Sequence, residues 1–177
     1  CSKVAHRDIK PDNLMLDKNG SLILIDFGIS KCFEGENDII KGIAGTIRFY
    51  APEIVQTNVK NKTIHARQTD IWALGVTLYI LITGKYPFEA VSEIDMQEKL
   101  LGSEVDYSII KTGDAETDAL LIQLLKKMLT KDPKARATVQ DLLSDEWLTN
   151  KLKEPMIIYE SCSEKEDQNE KDEASKF

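Results

Sequence analysis

Four polar residues near the start of the 177-residue sequence have the types and spacing to do chemistry together: Asp8, Lys10, Asn13 and Asp26. A positioned carboxylate can accept or direct the proton of a hydroxyl. An ammonium group two residues away can neutralise an anion formed beside it. Hard divalent cations such as magnesium take oxygen ligands and keep several waters, and the Asn13 amide and the Asp26 carboxylate are oxygen donors of that kind. The set therefore suits a reaction in which a divalent ion is held against an anionic group while Asp8 faces an incoming alcohol. Taken singly, an aspartate in a loop is a solvated turn residue; the joint pattern carries the chemical reading. His6 is expected to pack beneath the loop rather than to act in catalysis, because an aspartate base is already at hand.

Positioning Asn13 beside Asp26 requires the chain to fold back between them. Residues 14–16 form a short apolar run, 17–20 (Asp-Lys-Asn-Gly) a turn, and 22–25 a returning apolar run, which together predict a β-hairpin. Downstream, residues 29–44 read as a long loop, and 54–62 as a short helix followed by a loop. Residues 69–82 are apolar almost all round, which predicts a buried central helix too short to span a membrane. Asp70 stands where an N-cap belongs, and Thr83-Gly84 ends the helix. Residues 93–101 predict an amphipathic helix. Over 116–129, helical spacing puts Leu120, Leu121, Leu124, Leu125, Met128 and Leu129 on one core-facing stripe. Thr138 is expected to cap a helix running through Leu142-Leu143 to Trp147.

Residues 6–13 read H-R-D-I-K-P-D-N, 26–28 read D-F-G, and 45–53 read G-T-I-R-F-Y-A-P-E. Together these stretches resemble the signature set of protein kinases, and the resemblance extends over residues 6–149. It implies a mainly α (α+β) fold, the C-terminal lobe of the protein-kinase fold, helical with a small β-hairpin near the catalytic loop and with the N-terminal lobe absent. It also implies a partial kinase domain over 1–149, with 150–177 an acidic tail whose composition favours disorder. The implied roles are Asp8 as catalytic base, Lys10 beside the transferred phosphate, and Asn13 and Asp26 as magnesium ligands. Thr46 would contact Asp8 and Lys10 and shape the floor under the acceptor residue. ATP and magnesium are the implied cofactors, with Lys10, Asp12, Asn13, Met15 and Asp26 on the nucleotide side. The resemblance further implies that Asp70 bonds to the catalytic-loop backbone and that Arg136 forms a buried ion pair with Glu53.

Lys10 combined with Gly45-Thr46 resembles serine/threonine rather than tyrosine kinases. The finer pattern is similar to the calcium/calmodulin-dependent protein kinase kinase group, which implies that the protein substrate is itself another kinase. Two features depart from that group's pattern, one being that arginine-directed specificity is weakly supported, since Asp12 is the only acid flanking the catalytic loop near the acceptor. The other is that no basic amphipathic stretch follows Trp147, so calmodulin binding is not supported by this chain. Glycine-rich-loop and strand-lysine motifs are also not found in these residues, so the isolated chain is expected to be inactive. The alternative to an enzyme is a pseudokinase or docking scaffold; retention of Asp8, Asn13 and Asp26 favours the enzyme.

Composition narrows the partners. A formal net charge of −7 argues against a basic nucleic-acid-binding face, and no apolar run is long enough for a membrane span. Three widely spaced cysteines, Cys1, Cys32 and Cys162, suit a reducing, cytoplasmic setting rather than a disulfide framework. Between Phe27 and Pro52 the only hydroxyl residues are Ser30, Thr46 and Tyr50. The kinase resemblance implies a phosphothreonine partner for Arg7 between Lys31 and Gly45, and no hydroxyl residue stands there. Glu34, Glu36 or Asp38 is expected to supply a standing carboxylate in its place.

Overall fold

A helix apolar on nearly every face must be surrounded, and the chain is arranged around one. The computed structural model describes residues 3–33, 35, 37–56 and 63–151. Its axis is α2 (Ala66–Thr83), which buries Ile71, Trp72, Ala73, Val76 and Tyr79. The helix begins at Ala66, so Asp70 lies inside it and is not its N-cap. On one side α2 packs with Phe49, Phe88, Met96, Leu100 and Leu129; on another it meets Leu124, Met128, Ala137 and Leu142.

The helix α4 (Ala115–Met128) crosses α2 closely. A β-carbon on Gly75 would stand 2.9 Å from Met128 Cβ and 3.0 Å from Leu129 Cδ2. Mid-helix glycine costs up to about 1 kcal/mol relative to alanine, and here the close approach of the two helices requires it. Leu121, Leu124, Leu125, Met128 and Leu129 are buried as the stripe predicts, while Leu120 is half-buried. Asp114 starts α4 by accepting the Thr117 N–H at 2.7 Å. Ser92 caps α3 (Glu93–Gly102), which buries Met96 and Leu100.

Thr138 caps α5 (Val139–Leu143) with a reciprocal bond from its N–H to Asp141. The helix does not run on to Trp147. Asp145 Oδ1 accepts the Trp147 N–H at 3.0 Å, and a separate helix, α6 (Glu146–Lys151), begins there. An aspartate at that point offers the backbone an alternative to continuing the first helix.

Among the described residues, three two-stranded antiparallel sheets complete the architecture. The predicted hairpin is β2 (Leu14–Leu16) with β3 (Leu22–Leu24), Leu14 opposite Leu24. Its turn is closed by Asp17 Oδ1, which accepts from the Asn19 and Ser21 N–H groups. The other two correct the expectation of an unstructured loop over 29–44. β1 (Lys3–Ala5) pairs with β4 (Lys31–Phe33), and β5 (Ile39–Lys41) pairs with β6 (Thr63–His65). Strands of three residues are too short to show an alternation, and their partners lie far away in sequence. Helices outweigh strands, as expected for a mainly α, α+β chain.

The short helix α1 (Pro52–Val55) is anchored by the ion pair anticipated for Arg136. Arg136 Nη1 and Nη2 donate to the two Glu53 oxygens at 2.7 and 2.8 Å. The guanidinium also donates to the Thr130, Gln68 and Lys131 carbonyls and lies over the Trp72 ring. No described helix is long and apolar enough to cross a membrane. Residues 152–177, nearly all of the acidic tail, are outside the described residues, as are Cys1 and Cys162; Cys32 is a free, exposed thiol.

Candidate active site

The loop from His6 to Asn13 is shaped by bonds that the sequence places at both its ends. At its start, Asp70 of α2 accepts the backbone N–H of His6 at 2.7 Å and of Arg7 at 2.8 Å. This is the loop-tying role that the resemblance implied. Burial pushes the Asp70 carboxyl above the usual range, against the two backbone donors. Arg7 adopts a left-handed backbone, φ 72°, a conformation that costs a non-glycine residue energy and persists where surrounding contacts impose it. His6 is buried. Its Nε2 donates to the Ile25 carbonyl at 2.9 Å and its Nδ1 accepts the Asp8 N–H at 3.3 Å. Those two bonds together require the neutral ring with its proton on Nε2, which is the packed, supporting histidine expected.

At the loop's end, Pro11–Asn13 form a 3₁₀ turn, and the Asn13 N–H returns to the Lys10 carbonyl. Pro11 suits the first position of such a turn because its missing N–H would have no partner there. Asn13 is buried, and its Nδ2 donates to the Asp8 carbonyl at 2.8 Å and to Asp8 Oδ2 at 3.2 Å. With the amide nitrogen committed, the amide oxygen takes no hydrogen bond among the described residues. The hairpin then brings the strands back: the Ile25 N–H donates to the Asn13 carbonyl at 2.9 Å. Asp26 follows with a left-handed φ of 61°. Its Oδ1 accepts the Gly28 N–H at 3.2 Å, and its side chain is exposed. Asp26 thus directly follows the residue whose backbone bonds Asn13, and an amide oxygen and a carboxylate oxygen are donors of the kind a magnesium ion takes. Among the described residues no group of three or more His, Cys, Asp or Glu side chains is arranged to hold a metal by protein ligands alone.

Asp8, Lys10 and Thr46 form a closed ring of hydrogen bonds. Lys10 Nζ donates to Asp8 Oδ2 and to Thr46 Oγ1, both at 2.8 Å, and Thr46 Oγ1 donates to Asp8 Oδ1 at 2.8 Å. Burial works to raise the Asp8 carboxyl. Hydrogen bonds from Lys10, Thr46 and Asn13, with the Lys10 charge, outweigh it and hold the group below the usual carboxylate range. Lys10 is pushed up, chiefly by its hydrogen bond to Asp8, with burial opposing and the charges of Asp8, Asp12 and Asp26 adding. Both are therefore charged at neutral pH, and Lys10 lies within the field of Asp26. Asp12 is exposed, and Met15 is 54% exposed on the hairpin opposite Ile23.

Thr46 reaches the ring because Gly45 lets two backbones touch. Gly45 has φ +104°, and a β-carbon there would stand 2.4 Å from the Arg7 carbonyl oxygen. The Tyr50 hydroxyl donates to the Gly45 carbonyl at 3.0 Å and steadies the turn.

Arg7 does not meet the carboxylate expected of Asp38. Its guanidinium donates to the Ile29 carbonyl at 3.2 Å and the Gly42 carbonyl at 3.5 Å. Asp38 is instead bound to His65 and Arg67, a grouping for which the local sequence carries no signal. Glu34 and Glu36 are outside the described residues.

The sequence profile of the protein kinase domain matches residues 1–148. Serine/threonine-protein kinase ppk34 of Schizosaccharomyces pombe is 35% identical over 150 residues, covering 85% of this chain and 40% of that protein. Calcium/calmodulin-dependent protein kinase kinase cmkC of Emericella nidulans is 34% identical over 155 residues, covering 87% of this chain and 28% of that protein. Calcium-dependent protein kinase 27 of Arabidopsis thaliana is 36% identical over 148 residues, covering 82% of this chain and 29% of that protein. The chain thus spans less than half the length of these curated relatives.

Proposed function

This chain belongs to the protein kinase domain family, and on that premise we propose that it is the helical, C-terminal lobe of a serine/threonine kinase that transfers the γ-phosphate of ATP to a hydroxyl of a protein substrate. The observation that carries the proposal is the ring joining Asp8, Lys10 and Thr46. It aims a charged carboxylate and a charged ammonium at one place and fixes both. In this reading Asp8 orients the acceptor hydroxyl and takes its proton as the new oxygen–phosphorus bond forms and the bond between the γ-phosphorus and the departing ADP oxygen breaks. Lys10 offsets charge on the transferred group, and Thr46 holds the pair in register. Asn13, through its amide oxygen, and Asp26, through its carboxylate, would hold magnesium, which when bound supplies charge compensation for the phosphates. Lys10, Asp12, Asn13, Met15 and Asp26 are proposed to face the nucleotide.

Serine/threonine rather than tyrosine selectivity rests on Lys10 with Gly45-Thr46. One relative is named a calcium/calmodulin-dependent protein kinase kinase, and the motif pattern resembles that group; a kinase substrate is therefore part of the proposal. The loop's few hydroxyls support activity without loop phosphorylation, although Asp38 is not the anion that would face Arg7. The reading is tested in the full-length protein with labelled ATP and a serine/threonine substrate. Asp8→Asn is expected to lower kcat by about 10²–10⁴-fold, with little change in the KM for ATP. Undiminished transfer in that variant would remove the proposal.

A further inference from the structure

The first N–H groups of any α-helix have no partner within the helix. In α2 the preceding residue, His65, gives no side-chain cap. The cap comes from elsewhere in the chain. Asp38, 5% exposed, accepts the Ala66 N–H through its carbonyl at 3.0 Å and the Arg67 N–H through Oδ2 at 3.0 Å. Its Oδ1 bonds His65 Nδ1 at 2.9 Å, and Arg67 Nε lies 3.3 Å from Oδ2. A negative charge at this end of a helix is also favoured by the aligned peptide dipoles. Asp38 belongs to the segment between D-F-G and A-P-E, and it leads directly into β5, whose Ile40 pairs with Ile64.

That ribbon lies beside the catalytic loop. Ile40 and Ile64 line one small cavity with Arg7, Asp8 and Thr46. Gly42, just past β5, accepts from Arg7. Less than one helical turn beyond Arg67, Asp70 holds the His6 and Arg7 backbone. The first turns of α2 therefore clamp the catalytic loop through one carboxylate and the loop carrying Thr46 through another. The two clamps face opposite ways in the chain: Asp70 reaches out from the helix, and Asp38 reaches in.

We propose that Asp38 is a positioning residue for protein-substrate binding, capping α2 from outside the helix so that the β5–β6 ribbon, and with it residues 42–46, stays seated beside Asp8. The proposal rests on the kinase reading above. Removing the cap loosens the wall of the acceptor site without touching Asn13 or Asp26, so it separates the two substrates.

The test uses the full-length protein and the variants Asp38→Ala, Asp38→Asn and Asp8→Asn. With Asp38→Ala, the KM for a serine/threonine peptide is expected to rise about tenfold while the KM for ATP moves less than about twofold, the pattern of lost binding to one substrate alone. Asp38→Asn, which keeps an oxygen for the Arg67 N–H, is expected to restore part of the loss. Hydrogen exchange should show amides 39–41 and 64–67 losing protection in Asp38→Ala, with the β2–β3 hairpin unchanged. An unchanged peptide KM overturns the proposal, as does a parallel rise in both KM values with protection lost throughout. Should Asp38→Ala fail to fold, the peptide KM of Asp38→Asn decides by the same criterion. Asp8→Asn separates the two readings. Retained turnover there sinks the kinase reading and this proposal together, whereas lost turnover with an unmoved peptide KM in the Asp38 variants sinks this proposal alone.

Discussion

Thr46 shows how much depends on a single hydroxyl. It accepts from Lys10 and donates to Asp8, so it is the one member of the ring that uses both capacities of its side chain. Thr46→Ser keeps that hydroxyl and is expected to leave kcat of the full-length protein within about twofold, whereas Thr46→Val is expected to lower it about tenfold, roughly 1.4 kcal/mol in the barrier. Steady-state rates with saturating substrates distinguish the two. Gly45 makes the contact possible, and Gly45→Ala drives a methyl group into the Arg7 carbonyl. A displacement near 1 Å of an aligned group can cost about 10²-fold. The expected result is a fall of that size in kcat/KM, with the far-UV circular dichroism unchanged. A variant at wild-type rate would show that the backbone contact has no catalytic consequence.

At the scale of elements, α2 is both core and frame. Its apolar faces bury three sets of side chains, and its first turns present Asp70 and receive Asp38. The Arg136–Glu53 pair ties α1, at the end of the 26–53 segment, to the stretch between α4 and α5. Both partners are buried, so losing one leaves the other uncompensated. Arg136→Met is expected to lower the stability of the full-length protein by about 3–5 kcal/mol in denaturant unfolding. Glu53→Gln combined with Arg136→Met should recover part of that loss, because the stranded charge is then gone. A single variant as stable as the parent would reduce the pair to ornament.

For the molecule as a whole, pH and exposed surface give two further expectations. Burial pushes the Asp38 carboxyl up, but His65 and Arg67 pull it further down, to a net value below its ordinary 3.8. A carboxylate with a depressed folded-state value stabilises the fold above its unfolded value and loses that contribution as pH falls through the folded one. The stability difference between the parent and Asp38→Asn should therefore shrink as pH falls below 3.8. Thermal unfolding on either side of that value measures it; a difference that grows as pH falls below 3.8 would reverse the sign of the argument. Met15, Leu16, Leu22, Ile23 and Phe27 are all exposed around the hairpin. Apolar surface of this kind suits an interaction face, and in the proposed kinase reading a nucleotide-covering lobe would pack there. The 177-residue chain alone is expected to bind a hydrophobic dye and to turn over ATP negligibly. Turnover near full-length rates would contradict that.

What the sequence determined by itself was whatever acts over a few residues. Asp17 and Gly20 closed the hairpin turn, Thr138 and Asp141 capped α5, and helical spacing sorted the α4 leucines, because turn chemistry, capping and periodicity are local forces. The contact of Asp8 with Lys10 and Asn13 was legible for a related reason: the loop that joins them is short. Tertiary structure alone decided the rest. It put Asp38 on α2 instead of against Arg7, placed Asp70 within the helix instead of at its cap, and paired two sets of three-residue strands. Each of those outcomes depends on which distant segment offers a buried polar group its partner, and no window along the chain contains both halves of such a pair.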